Sequence, residues 1–415
     1  LGEYAFNGCY ALEEVSLPDV ITVGQGAFDS TSLISITLPS ATTIGENAFS
    51  YCLSLESVSL PNVVTVGEGA FVDDYELTSV SLPSATTLGD EAFAYCYELE
   101  SVYLPSVITV GEEAFRGNSN LTSISLPSAT TLEYNAFYSC YALESVSLPN
   151  VVTVGESAFE KDSKLASISL PSATTIGDSA FKDCYDLASV DMPKVETIGD
   201  DAFQYDEGLT SLEFPELTSL GTEAFYNCTD LKSIDIPKLE TIPDSAFQNN
   251  YSLVSVSAAE ATTIETEGFN AACSLTDVYF PKVTTIGESA FDWCESLVSI
   301  ELPSVTSMDS MAFIDCSSLN DLTLGATVPS VQSNTFNYIS TDSPTISVPY
   351  GSATSYLEDT SDGDGTDNEW YGWAIYEMSN DATLSDLSIS EGTLDPVFDS
   401  SIADYTADVT NDINL

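Results

Sequence analysis

The sequence has no histidine and a single arginine, Arg116; lysine and arginine together number 8 against 65 aspartates and glutamates, a formal net charge of -57. Without histidine there is no Ser-His-Asp or Cys-His nucleophile and no histidine-containing metal site. One arginine leaves almost no scope for bidentate clamps on phosphate or carboxylate. So acidic a surface repels phosphate backbones and anionic headgroups, because nucleic-acid affinity depends on Lys and Arg releasing counterions. Nucleic acid is therefore not expected as a partner. No apolar run reaches the length of a membrane span, so no direct membrane insertion is expected either. Catalysis would fall to carboxylates, Tyr, Ser, Lys or Cys. A carboxylate pair of the glycosidase kind needs one raised pKa and a cleft, whereas stacked acidic columns supply close pairs by accident. The chain is expected not to be an enzyme.

What the sequence does have is a repeat. The Phe of an "AF" pair falls at Phe6, Phe28, Phe49, Phe71, Phe93, Phe115 and onward to Phe313, then more loosely at Phe336, in steps of 22 residues with one of 21 and a last of 23. The unit reads L-x-S-V-S-L-P-x-V-x-T-I-G-E-x-A-F-x-x-C-x-x, a period that belongs to solenoids. In "LESVSL", Val58 and Leu60 alternate with Ser57 and Ser59, the pattern of a half-buried strand. Pro61 ends that strand because it cannot donate to a ladder. Gly67 and its equivalents are expected to allow a positive-φ turn. Ala70 and Phe71 turn inward again, and stacked coils share the core that one coil cannot bury alone. Leu1 enters the repeat midway, which gives the chain the look of a piece of something longer.

These residues resemble the BspA-like leucine-rich repeats, over about residues 1–339. The resemblance implies a β-rich solenoid: a right-handed leucine-rich-repeat array of 22-residue coils with a parallel sheet and a C-terminal cap. It also implies extracellular or cell-surface display and adhesion. Residues 340–378, with "TISVPYGSATSYLED" and "EWYGWAIYEM", resemble the closing segment of such arrays, in which Trp370, Trp373 and Tyr376 would cover the last coil. Residues 379–415 resemble the truncated start of a cadherin-like β-sandwich domain, too short to close a sandwich core.

Cys9, Cys52, Cys96, Cys140, Cys184 and Cys228 each lie three residues after the marker Phe in alternate coils, where the intervening coils carry Thr31, Asp74, Asn118, Asp162, Asp206 and Asn250. All of these can hydrogen-bond backbone groups in a turn. The thiols are read as free, buried and structural. Cys273, Cys294 and Cys316 fall in consecutive coils, so a Cys294–Cys316 bridge stays open.

Repetition turns single residues into surface columns. The outward strand positions are largely serine, interrupted by Tyr103, Asp191, Glu213, Asp235, Tyr279 and Glu301, the candidate partner-binding residues. Carboxylates on neighbouring rungs repel unless a cation or basic partner sits between them; Lys194, Lys232 and Lys238 could supply it internally. A second acidic column follows the Gly (Glu46, Glu68, Asp90, Glu112 and onward), read as a solvated edge or as a weak Ca2+ responder. Asp362, Asp364, Asp367 and Glu369 form an acidic loop that is either flexible or a Ca2+ site, although it lacks the order of an EF-hand. No cofactor is required, and Ca2+ is the ion such loops would take. The functional expectation is a non-catalytic extracellular binding or adhesion solenoid with a protein or glycan ligand. The alternative is a structural spacer or self-assembling unit whose partner is self.

Overall fold

The computed structural model describes residues 1–332, 334–339, 344–357, 369–371 and 373–378, with backbone only for Glu369 and Trp370. These residues build a parallel β-solenoid of about 15 coils with about 22 residues per turn, as the repeat predicts. Each coil contributes a three-residue strand such as Ser57–Ser59 and a two-residue strand such as Thr65–Val66. Partners one repeat apart stand in register: Ser57 opposite Ser79, Val58 opposite Val80, Ser59 opposite Ser81. Val58 and Leu60 are buried while Ser57 and Ser59 face out, so the period-2 pattern selects the face.

The turn-rich third of each coil is held by a further ladder. The N–H groups of Asn47, Phe49 and Tyr51 donate to the carbonyls of Glu68, Ala70 and Val72 in the next coil, at 2.8, 2.8 and 3.0 Å. Asn47 and Tyr51 take left-handed backbone (φ 51° and 56°), and their equivalents repeat it along the array. Such conformers persist because the inter-coil bonds over-determine them. Gly67 is not the positive-φ residue its sequence suggests. A Cβ there would lie 2.7 Å from the backbone nitrogen of Glu46 in the coil before, so the glycine serves close approach.

Inside, the marker rings form one stack. Centroids are 5.1 Å apart between Phe28 and Phe49 and 5.7 Å between Phe313 and Phe336, nearly parallel throughout. Each buried ring contributes roughly 1.5–3 kcal/mol of burial, besides the stacking itself. Trp373 ends the stack against Phe336, at 5.4 Å. The strand that carries it, Trp373–Glu377, pairs in parallel with Thr345–Val348. Tyr356 is buried beside it and its hydroxyl donates to the Gly325 carbonyl at 2.8 Å. Tyr376, expected to cover the last coil, instead points outward and is 65% exposed. The side chain of Trp370 and residues 379–415 lie outside the described residues.

The two-residue strands run as a ten-stranded sheet from Thr22–Val23 to Ser219–Leu220, then as a five-stranded one from Thr241–Ile242 to Ser330–Val331. The three-residue strands form shorter runs. Pairing lapses after Ser35–Thr37, Ser101–Tyr103, Ser145–Ser147, Ser189–Asp191 and Asp277–Tyr279; the central valine before the last four (Val102, Val146, Val190, Val278) is only half-buried, whereas Ile36 before the first is buried.

All nine cysteines are free. Cys294 and Cys316 are not bridged; their thiols donate to the carbonyls of Phe269 and Phe291, at 3.3 and 3.0 Å. Cys52, Cys96, Cys140, Cys184 and Cys228 make the same contact to the Phe of an earlier coil. Two cysteines depart from the buried expectation. Cys9 is exposed, and Cys273 is half-exposed because Ala272 takes the ladder place in its coil.

Candidate functional site

The strand face is built by the repeat itself: alternation sends every second side chain outward, and register stacks those side chains into columns. On the four-stranded run Ser211–Glu213, Ser233–Asp235, Ser255–Ser257 and Asp277–Tyr279, one column reads Glu213, Asp235, Ser257, Tyr279. The parallel column reads Ser211, Ser233, Ser255, Asp277. Together these residues line a shallow open trough of about 440 Å³, floored by Leu212, Ile234, Val256 and Val278. Lapses in strand pairing bound it at both ends.

Three of the six sequence candidates, Glu213, Asp235 and Tyr279, therefore share one depression. Asp277 joins them. It is readable in the sequence as an aspartate where the three preceding strands carry Ser211, Ser233 and Ser255; the sequence candidates lie in the other column. Asp191 and Glu301 lie on the flanking coils beyond the lapses, outside the lining. The Ser169 hydroxyl donates to Asp191 at 2.9 Å. Tyr103 is 58% exposed but sits eight repeats before Tyr279, so the two tyrosines do not form one site.

Glu213 and Asp235 occupy neighbouring rungs, where like charges about 5 Å apart repel by roughly 1–3 kcal/mol near a surface. None of the six ion pairs among the described residues includes Asp191, Glu213 or Asp235. Lys238 pairs with Glu216 instead of serving Asp235. The trough thus presents carboxylates and hydroxyls around an aromatic ring, which suits a cationic or hydrogen-bonding ligand. Among the described residues no three acidic or thiol groups converge as a metal ion needs. Asp362, Asp364 and Asp367 fall outside the described residues, as does the side chain of Glu369.

Much of the other acidic column has a backbone role the sequence reading missed. Asp90, Asp178, Asp200 and Asp244 accept the N–H of Glu112, Asp200, Thr222 and Thr266 in the next coil, at 2.7–3.0 Å. Aspartate at these positions, where other coils carry glutamate, was the available signal.

The cysteine ladder also holds three carboxyl groups. Asp74, Asp162 and Asp206 are fully buried and accept the backbone N–H of Cys52, Cys140 and Cys184 through Oδ1, at 2.7–2.8 Å. Burial lifts each carboxyl well above the usual carboxylate range, with the backbone N–H opposing. No donor faces Oδ2 in any of the three. Their ladder equivalents Asn118 and Asn250 donate through Nδ2 to the carbonyls of Phe93 and Phe225, at 3.0 and 2.9 Å. Burial thus favours the protonated, neutral form of all three aspartates.

Comparison with known proteins agrees with this architecture. The family model described as BspA type leucine rich repeat region (6 copies) matches residues 1–100, 86–210, 174–295 and 262–356. A leucine-rich repeat protein from Bacteroides ovatus is similar at 28% identity and a TM-score of 0.66, covering 81% of this chain and 88% of that one. A leucine rich cell surface protein from Faecalibacterium prausnitzii aligns at 24% identity and a TM-score of 0.38, covering 64% of this chain and 81% of that one. No curated protein matches by sequence. Among the described residues no helix is long and apolar enough to cross a membrane.

Proposed function

Since the chain belongs to the BspA-type leucine-rich repeat family, whose members are binding scaffolds, we propose that it is a non-catalytic module that binds a protein or glycan ligand outside the cell. The family resemblance supports the extracellular placement. The observation that carries the binding reading is the trough, where Glu213, Asp235, Asp277 and Tyr279 break an otherwise hydroxyl-lined face. A repeat array that needed only stability would keep serine there, as Ser123–Ser125, Ser145–Ser147 and Ser167–Ser169 do. The test is a binding screen of the full chain against extracellular-matrix proteins and glycans, with Ca2+ and with chelator, repeated on Glu213→Lys/Asp235→Lys. A saturable ligand that the charge reversal loses supports the reading; unchanged affinity removes the trough from it. The chelator arm also tests Ca2+ at Asp362, Asp364, Asp367 and Glu369.

Those uniform serine coils favour a second reading, in which the solenoid is a spacer or self-assembling unit. Light scattering across a concentration series, with and without Ca2+, separates the two. Growth of particle size together with silence in the screen would favour the spacer.

A further inference from the structure

The turn edge carries aromatic residues that the strand-face reading does not use. Tyr75 and Tyr97 lie on adjacent coils with ring centroids 5.2 Å apart, and Tyr95 meets Tyr97 edge-on at 6.2 Å. Tyr51 stands one coil before Tyr75, and Tyr51, Tyr75 and Tyr97 are 48%, 37% and 41% exposed. The Asp73 carboxylate lies among them: its hydrogen bond raises the Tyr51 hydroxyl, and its charge adds to desolvation in raising that of Tyr75. Exposed rings beside a carboxylate make a surface with electron-rich faces and a fixed negative charge.

The same edge shows what this surface accepts. The Arg116 guanidinium sits 5.6 Å from the Tyr95 ring and 5.0 Å from the Tyr138 ring, with Glu113 at 2.7 Å. Lys161 stands 4.6 Å over the Tyr138 ring, with Glu160 at 3.0 Å. Gly117 leaves room for the arrangement, since a Cβ there would meet the Tyr95 ring at 2.8 Å. Each cation is thus held by a ring face and a carboxylate together. On the Tyr51–Tyr75–Tyr97 side the rings and Asp73 are present without a cation of this chain over them: the ring-seated cations among the described residues are Arg116 and Lys161.

We propose that the corner formed by Tyr51, Tyr75 and Tyr97 around Asp73 docks a lysine- or arginine-bearing segment of a partner protein. Charge complementarity selects this occupant: the chain has 8 cations against 65 acids, and Glu76 and Glu98 flank the corner in sequence. Guanidinium or ammonium groups would repeat outside what Arg116 and Lys161 do within. The site lies on the turn edge, apart from the trough, so each stands or falls separately.

The test uses the full chain and a fluorescent tetra-arginine peptide at physiological salt, where diffuse attraction is largely screened. Tyr75→Leu/Tyr97→Leu keeps net charge and removes two rings. It is expected to weaken binding by at least about five-fold. The control Tyr141→Leu/Tyr185→Leu alters the same turn position in other coils and is expected to bind as wild type. Asp73→Asn keeps a residue tolerant of the left-handed backbone there (φ 62°) and is expected to lose about two- to five-fold, should the double tyrosine variant fold poorly. Wild-type affinity in both Tyr75→Leu/Tyr97→Leu and Asp73→Asn would overturn the proposal. So would equal losses in the tyrosine control, or displacement of the peptide by an uncharged oligosaccharide at the corner.

Discussion

The three buried aspartates give the fold a pH dependence whose size follows from proton counting. Burial favours the protonated form of Asp74, Asp162 and Asp206 in the folded chain, whereas in the unfolded chain they release their protons above about pH 4. Because the folded pKa is the higher one, the contribution to stability is complete below the unfolded value and is lost as pH rises toward the folded value. Over that window each aspartate costs about 1.4 kcal/mol per pH unit, or about 4 kcal/mol per unit for three if the array unfolds together. The informative perturbation is Asp74→Asn/Asp162→Asn/Asp206→Asn. Asparagine already occupies the ladder at Asn118 and Asn250, where it donates to Phe carbonyls, so the variant keeps a residue type this ladder accepts and loses the titration. Urea unfolding of both proteins at pH 5, 6, 7 and 8 is the assay. Surface carboxylates also destabilise the fold as pH rises, and the difference between the two proteins cancels that effect. The variant should match wild type most nearly at pH 5 and exceed it increasingly toward pH 8. Infrared spectra at pH 7 should show a protonated carboxyl band in wild type that the variant lacks. Parallel unfolding curves without such a band would refute the protonated ladder.

Three more expectations test the core. Phe159→Ala removes a fully buried ring stacked at 5.2 and 5.3 Å on its two neighbours. It should cost about 3–5 kcal/mol and deprotect amides of the adjoining coils in hydrogen exchange; unaltered exchange there would contradict the shared-core account. Gly67→Ala forces a Cβ into backbone 2.7 Å away, so a loss of about 1–3 kcal/mol is expected; a neutral result in thermal melts would mean that the coils can part cheaply. Thiol titration of the native protein should find Cys9 and Cys273 readily, and the seven buried thiols only in denaturant. A mass deficit from any disulfide would contradict the free ladder.

The parts of this molecule that were legible in its sequence are those where repetition makes a residue report on its neighbours. A Phe every 22 residues stacks on its own repeats, and the serine–valine alternation chooses a face within a single strand. Gly67 shows the limit of that reasoning. In one coil a glycine suggests a φ, whereas its real constraint is the distance to Glu46 of another coil, which no single repeat contains. The candidate site divided for the same reason. Glu213, Asp235 and Tyr279 were findable as departures from serine, but whether such departures share a surface depends on where strand pairing lapses. Those lapses separate Asp191 and Glu301 from the trough. A half-buried central valine precedes each of them, yet Val80 and Val256 occupy the same position in strands that pair on both sides. Residue identity therefore does not encode the lapse. The site boundaries follow instead from how the strands pair in the three-dimensional structure.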